Sequence, residues 1–116
     1  MTKPALATLW SVAILAACLV PGSQIHPPAF LPFTMDKWVH LGMFLGFGAL
    51  WLHARPERTR EVLAAGVAYG IGIEILQGLL PIERSADPLD AAADVVGLLI
   101  GVGLVVAVRR WRASNG

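Results

Sequence analysis

The chain has 116 residues, of which 56% are hydrophobic and only 15% are charged, and its mean hydropathy is +0.66. Charged residues make up about a quarter of an ordinary soluble domain, so the composition excludes that class. The net charge of +1 gives no support to nucleic-acid binding. A single cysteine excludes an internal disulfide and a thiolate metal cluster.

Four apolar stretches follow one another at about residues 5–20, 38–54, 62–80 and 89–108. A span needs about 20 apolar residues, with a range of ~17 to 25, so the last three are long enough and the first is slightly short. Backbone groups inside lipid must be satisfied within their own segment, which favours helices. We therefore predict an all-α fold, an integral membrane antiparallel bundle of four transmembrane helices that forms one domain over residues 1–116.

The first stretch also resembles the start of a bacterial lipoprotein. Lys3, an apolar run and the letters LAAC at positions 15–18 fit a signal peptide that ends before an acylated Cys18. Small residues before a cysteine are common in alanine-rich helices, and cleavage would leave an odd number of spans. We therefore favour an intact first span, and lipidation of Cys18 is the alternative.

The polar residues of the spans are grouped by helix face. Asp36 and His40 open the second span one turn apart, and Glu74 and Gln77 share a face of the third. Glu74 lies seven residues before the next proline, hence about 10 Å below the loop. An unpaired carboxylate there would cost roughly 2.5–3.5 kcal/mol, so we expect Glu74 to face inward. Its partner would be Arg84, Lys37 or His40, or else it is protonated.

The fourth span continues this pattern. Asp90, Asp94, Gly97 and Gly101 follow a 4-3-4 spacing, which predicts one continuous stripe along a helix. Glycines four residues apart also predict close helix packing in lipid. Three spans carry such a pair: Gly42 and Gly46, Gly66 and Gly70, and Gly97 and Gly101.

The basic residues predict the orientation of the spans. If each stretch crosses once, seven of the nine lie on one side: Lys3, Arg55, Arg58, Arg60, Arg109, Arg110 and Arg112. Only Lys37 and Arg84 lie on the other side. We therefore expect an inner (plasma) membrane protein with both termini in the cytoplasm. The polar side chains would then meet in a pocket on the outer side, formed by Asp36, Lys37, His40, Glu74, Gln77, Arg84, Asp87, Asp90 and Asp94.

Three motifs resemble the signatures of the VanZ-like family of small multi-pass membrane proteins. They are DKWVH at 36–40, EILQ at 74–77, and ERSADPLDAAADVVG at 83–97. The family pattern has D-K-x-x-H opening the second span, E-x-x-Q in the third, and D-x-x-x-N-x-x-G after an arginine-containing loop. It matches this chain at Asp36, Lys37, His40, Glu74, Gln77, Arg84, Asp90 and Gly97. The resemblance covers about residues 36–108 and departs at Asp94, where the family usually has asparagine.

The resemblance implies a cell-envelope protein of a family associated with glycopeptide (teicoplanin) resistance. Membrane lipids are the expected partners, a lipid-linked or glycopeptide ligand would fit, and the sequence leaves open whether the chain forms a homo-oligomer. No cofactor is expected, although Asp87, Asp90 and Asp94 could collect a divalent cation through oxygen ligands.

The polar cluster allows several interpretations. It could fix the register of the bundle, bind a head group, phosphate or cation, or carry ions or protons through Glu74. A catalytic interpretation needs His40 as general base or nucleophile, oriented by Asp36, with Lys37 and Arg84 holding a phosphate. We favour a non-enzymatic protein that engages an envelope lipid or cell-wall component. The alternative is a membrane-embedded hydrolase or transferase acting on a phosphorylated lipid.

Overall fold

The computed structural model describes residues 1–22 and 35–115. In those ranges the chain forms four α-helices and no strand, which confirms the all-α prediction. The helices are α1 (Lys3–Cys18), α2 (Met35–Ala54), α3 (Thr59–Leu79) and α4 (Pro88–Asn115). Most of the predicted connection between the first two spans lies outside the described residues.

Prolines set the helix boundaries at three places. Pro56 and Pro81 follow the ends of α2 and α3, where a proline ring clashes with a continuing helix. Pro88 begins α4, at the position where its missing N–H is not needed. The carboxylate of Asp87 caps this helix, because its Oδ1 accepts a hydrogen bond from the Leu89 backbone N–H at 2.9 Å.

The contact between α2 and α4 is the most extensive in the bundle. Gly97 and Gly101 face α2, and a Cβ at these positions would overlap the backbone oxygens of Leu41 and Leu45, respectively. The two helices therefore run parallel with their backbones touching, which the glycines permit. The four residues of the predicted stripe are all buried in the structure.

The helix α3 packs antiparallel to α4 through its own glycine pair. A Cβ at Gly66 would lie 2.6 Å from the side chain of Leu98, and one at Gly70 would lie 3.1 Å from Asp94 Oδ2. Both glycines therefore make room for side chains of α4 rather than for its backbone. This arrangement brings the C-terminal half of α3 beside the start of α4.

The glycines of α2 differ from each other. Gly46 lies under the indole of Trp10, whose Nε1 donates a hydrogen bond to the Met43 backbone oxygen at 2.8 Å. Gly42 departs from the predicted packing role, because no described atom of another segment lies within 4 Å of the position that its Cβ would occupy. Only the second glycine of this pair brings α1 and α2 together.

The core is built from large apolar side chains of all four helices. Ile14, Phe44, Ile73 and Leu98 are each at most 2% exposed. Cys18 belongs to the same core at 3% exposure. This burial does not test acylation of Cys18, so the choice of an intact first span stays a prediction.

Two of the described helices, α3 and α4, are long and apolar enough to cross a membrane. Their most apolar 18-residue windows have mean hydropathies of 1.6 and 2.4, yet only 33% and 28% of these windows is buried within the bundle. Such exposed apolar faces indicate a membrane protein, since the core helix of a soluble protein is mostly buried. The helix α1 is apolar but has only 16 residues, and polar residues such as Lys37 and His40 lower the hydropathy of α2. Four transmembrane helices therefore stay a prediction.

The glycine contacts generate a test of the α2–α4 interface. Gly101→Ala should destabilise the fold by about 1–3 kcal/mol, because its Cβ would force two touching backbones apart. Gly103→Ala is the matched control on the same helix, where no described atom is within 4 Å of the new Cβ. Thermal unfolding of the purified proteins in detergent would compare them, and equal midpoints for the two variants would contradict the tight contact.

Candidate functional site

Lys37 contacts three carboxylates at the end of the bundle where α2 and α4 begin. Its Nζ lies 2.6 Å from Asp90 Oδ1, 2.7 Å from Asp87 Oδ2 and 3.6 Å from Asp36 Oδ2. The Asp36 side chain is 55% exposed, whereas that of Asp90 is 9% exposed. This lysine therefore connects the rim of the cluster to its interior.

Below Lys37, His40 is held by a buried carboxylate of α4. Its Nδ1 lies 2.8 Å from Asp94 Oδ1, and both residues are at most 3% exposed. Its Nε2 is 3.6 Å from Asp90 Oδ2 and 4.0 Å from Asp36 Oδ1. The expected orienting partner, Asp36, is thus corrected to Asp94, because the close α2–α4 contact brings a residue of the neighbouring helix nearer than one on the same helix.

Glu74 reaches the same cluster from α3. Its Oε2 accepts a hydrogen bond from the backbone N–H of Asp87 at 2.9 Å, and the residue is 5% exposed. The sequence suggested Arg84, Lys37 or His40 as its partner, or else a protonated carboxyl group. The donor found in the structure is a main-chain N–H. The other oxygen, Oε1, has no hydrogen-bond partner within the described ranges.

Gln77 and Arg84 take part in a separate network at the end of α1. Gln77 Nε2 donates to the Cys18 backbone oxygen at 2.8 Å, and Arg84 Nε donates to the Val20 backbone oxygen at 3.0 Å. The first bond satisfies the carbonyl of the last residue of α1, which the helix end leaves without an intrahelical partner, and the second satisfies a carbonyl just beyond it. Both residues therefore join α1 to α3 and to the loop that follows it.

Asp87 connects the cluster to the loop before α4. The hydrogen bond from Lys37, followed by that from the Leu89 backbone N–H, holds the pKa of Asp87 below its usual value. A lowered pKa means that the ion pair stabilises the fold at any pH above the ordinary aspartate range. That stabilisation is lost only as the pH falls through the lowered pKa.

The described donors form two groups with the spacing of metal ligands. One contains Asp36, His40 and Asp90, and the other contains His40, Glu74 and Asp94, with the ligand atoms of each group within 4.8 Å of one another. The sequence suggested a different set, in which Asp87, Asp90 and Asp94 collect the cation. In the structure Asp87 and Asp90 are held by Lys37, while Asp94 contacts His40.

Two clefts are present at the opposite half of the bundle, away from the polar cluster. The larger, of about 520 Å³, lies between α1, α2 and α3 and is lined by residues that include Ser11, Trp51 and Tyr69. The smaller, of about 370 Å³, lies between α2 and α4 near His53 and Arg109. Neither is lined by the residues predicted to form the outer pocket, so a pocket there stays a prediction.

Asp87 has a structural importance that was not predicted from the sequence. This residue caps α4, pairs with Lys37 and donates its backbone N–H to Glu74. The available signal was the Asp-Pro pair at positions 87–88, which is typical of a helix start. That signal places the Asp87 carboxylate at the N-terminus of α4, beside the start of α2.

These features define a class: a small all-α bundle with membrane-type helices and polar side chains from three helices buried at one end. The sequence matches the VanZ/LLP1 family over residues 5–109, and the chain belongs to this family. The match confirms the resemblance carried by the three motifs and extends it through α1. No curated protein and no solved structure matches the chain.

The charge arrangement generates a test of the role of Lys37. Lys37→Met keeps the length of the side chain but leaves Asp87 and Asp90 without their ammonium partner. We expect the unfolding midpoint to fall by at least about 4 °C, which corresponds to about 1 kcal/mol in a domain of this size.

Arg58→Met is the matched control, because Arg58 pairs with Glu57 where both side chains are more than 60% exposed. Exposed pairs contribute little to stability. An equal loss in the two variants would show that Lys37 is an ordinary surface cation.

Proposed function

We propose that the chain is a multi-pass protein of the plasma membrane with four spans and both termini in the cytoplasm. The polar cluster lies at the end of the bundle opposite to seven of the nine basic residues. At the basic end, Arg109 donates hydrogen bonds to the backbone oxygens of Leu52, at 2.7 Å, and Pro56, at 3.2 Å. Arginines at one end favour its placement on the cytoplasmic side.

We further propose that the polar end faces outward and engages a component of the cell envelope. The observation that carries this proposal is an excess of carboxylates around one lysine and one histidine: Asp36, Glu74, Asp87, Asp90 and Asp94. Ionisable residues within membrane-type helices are functional candidates, since isolated charges are costly there. Asp36, at the exposed rim, is the side chain that an outside ligand meets first.

The sign of this charge favours a particular class of ligand. Carboxylates attract an ammonium group and repel a phosphate, and Lys37 is already held by three of them. The favoured ligand is therefore an amine-bearing envelope lipid or cell-wall precursor. The family is linked to glycopeptide resistance, and engagement of such a component at the outer surface is one route to that effect.

The second candidate is a hydrolase or transferase acting on a phosphorylated lipid. The Asp94–His40 contact of 2.8 Å favours it, because a carboxylate on Nδ1 orients an imidazole for general-base chemistry. The 3% exposure of His40 counts against it, since a substrate would have to displace the surrounding side chains. We therefore rank binding ahead of catalysis.

The proposed orientation can be tested with two matched Ser→Cys variants in a Cys18→Ala background. Ser85 is exposed in the loop before α4, and Ser114 is exposed near the end of α4. In intact cells, a membrane-impermeant maleimide should label Ser85→Cys and should label Ser114→Cys only after lysis. Labelling of both from outside, or the reverse pattern, would overturn the four-span orientation.

The proposed ligand class can be tested by native mass spectrometry of the purified protein. Phosphatidylethanolamine should be retained in preference to phosphatidylglycerol with the same acyl chains. Asp36→Asn should reduce that preference by up to about fivefold, the effect of losing one exposed ion pair of about 1 kcal/mol. Glu57→Gln, at the opposite end, should leave it unchanged.

The same preparation distinguishes the two candidates. Incubation with polyprenyl phosphates and phospholipid phosphates, with and without divalent metal, should release no phosphate if the protein only binds. Phosphate release that is lost in His40→Ala would establish the enzymatic alternative instead.

A further inference from the structure

We infer that His40, Glu74 and Asp94 form a binding site for one divalent transition-metal ion. One donor atom from each lies within 4.8 Å of the other two, and each residue comes from a different helix. All three are buried, at 3%, 5% and 1% exposure. This inference is independent of the proposed lipid binding, which depends on the exposed rim of the cluster.

Two unsatisfied oxygens point to a ligand at this place. Glu74 Oε1 and Asp94 Oδ2 are buried and have no hydrogen-bond partner among the described residues. Buried polar atoms nearly always have a partner, because leaving them without one costs free energy. A cation bound by both carboxylates would satisfy these oxygens and offset their negative charge.

The three donors must move closer together to hold a metal ion. Ligand atoms about 2.1 Å from a metal lie about 3.4 Å apart in a tetrahedral site and up to about 4.2 Å apart in an octahedral one, so donors spread over up to 4.8 Å need to close by about 0.6–1.4 Å. His40 Nδ1 and Asp94 Oδ1 are 2.8 Å apart and share a hydrogen bond, so a metal held by Nδ1 would displace that proton and replace the hydrogen bond. Gly70 leaves room beside Asp94, since a Cβ there would lie only 3.1 Å from its Oδ2.

The donor types favour a particular class of metal. One imidazole nitrogen with two carboxylates suits zinc or manganese, whereas magnesium and calcium prefer oxygen ligands throughout. The donor group that contains Asp36 and Asp90 is the weaker candidate. Lys37 Nζ already contacts one oxygen of Asp90 and lies 3.6 Å from one of Asp36. In the buried group, Glu74 Oε1 and Asp94 Oδ2 accept no hydrogen bond from a described residue.

The test measures retention of zinc and manganese by the purified full-length protein. After loading with each ion and dialysis, mass spectrometry of the metal content should give one ion per chain. Glu74→Gln and Asp94→Asn should each weaken metal binding by at least about tenfold. Removing a residue that only hydrogen-bonds to a metal ligand already costs about that much, so losing a ligand should cost no less. Glu61→Gln makes the same chemical change at the opposite end of α3 and should bind normally.

Further measurements separate the remaining interpretations. Asp36→Asn should keep the metal while weakening lipid binding, which distinguishes failure of this inference from failure of the proposed function. Pulsed electron paramagnetic resonance of the manganese-loaded wild type should detect coupling to one imidazole nitrogen, so the result does not depend on the folding of variants. Absence of a retained ion, absence of that coupling, or loss of the metal in Asp36→Asn but not in Glu74→Gln would overturn the site.

Discussion

The direct backbone contact between α2 and α4 is the constraint on which the rest of the structure depends. Gly97 and Gly101 allow the two parallel helices to touch, and this closeness sets the 2.8 Å separation of His40 and Asp94. A side chain at either glycine would separate the helices and leave two buried polar groups unpaired, which is costly in an apolar environment. The close helix packing and the hydrogen bonding of the buried polar groups therefore depend on each other at this interface.

A gradient of exposure runs through the polar cluster from rim to interior. Asp36 is more than half exposed, Lys37 is intermediate, and His40 and Asp94 are almost fully buried. The exposed rim carries carboxylates, while the buried oxygens without a hydrogen-bond partner among the described residues include those of Glu74 and Asp94. The proposed lipid binding and the proposed metal site therefore use different depths of the same cluster.

The sequence was sufficient to predict the helices and to predict which residues meet at one end of the bundle. Helical periodicity placed Asp90 and Asp94 on one face, and motif order identified the family. The sequence was not sufficient to predict which polar side chains pair with each other. Those pairs depend on distances between helices, which no spacing along the chain encodes. The observed partner of His40 is therefore Asp94 and not the expected Asp36. The observed donor to Glu74 is a main-chain N–H, where Arg84 or Lys37 was expected. Gly42 shows the same limit, since a small residue allows contact without requiring it.

The hydrogen bond from the Asp87 backbone to Glu74 has a mechanical consequence. It is made by the short segment between α3 and α4, and the same residue caps α4 and holds Lys37. Movement of this segment would remove the N–H donor from Glu74, uncap the first turn of α4 and take away one of the carboxylates that contact Lys37. The three contacts are therefore coupled through one residue, and a change in the backbone at Asp87 would alter all of them together.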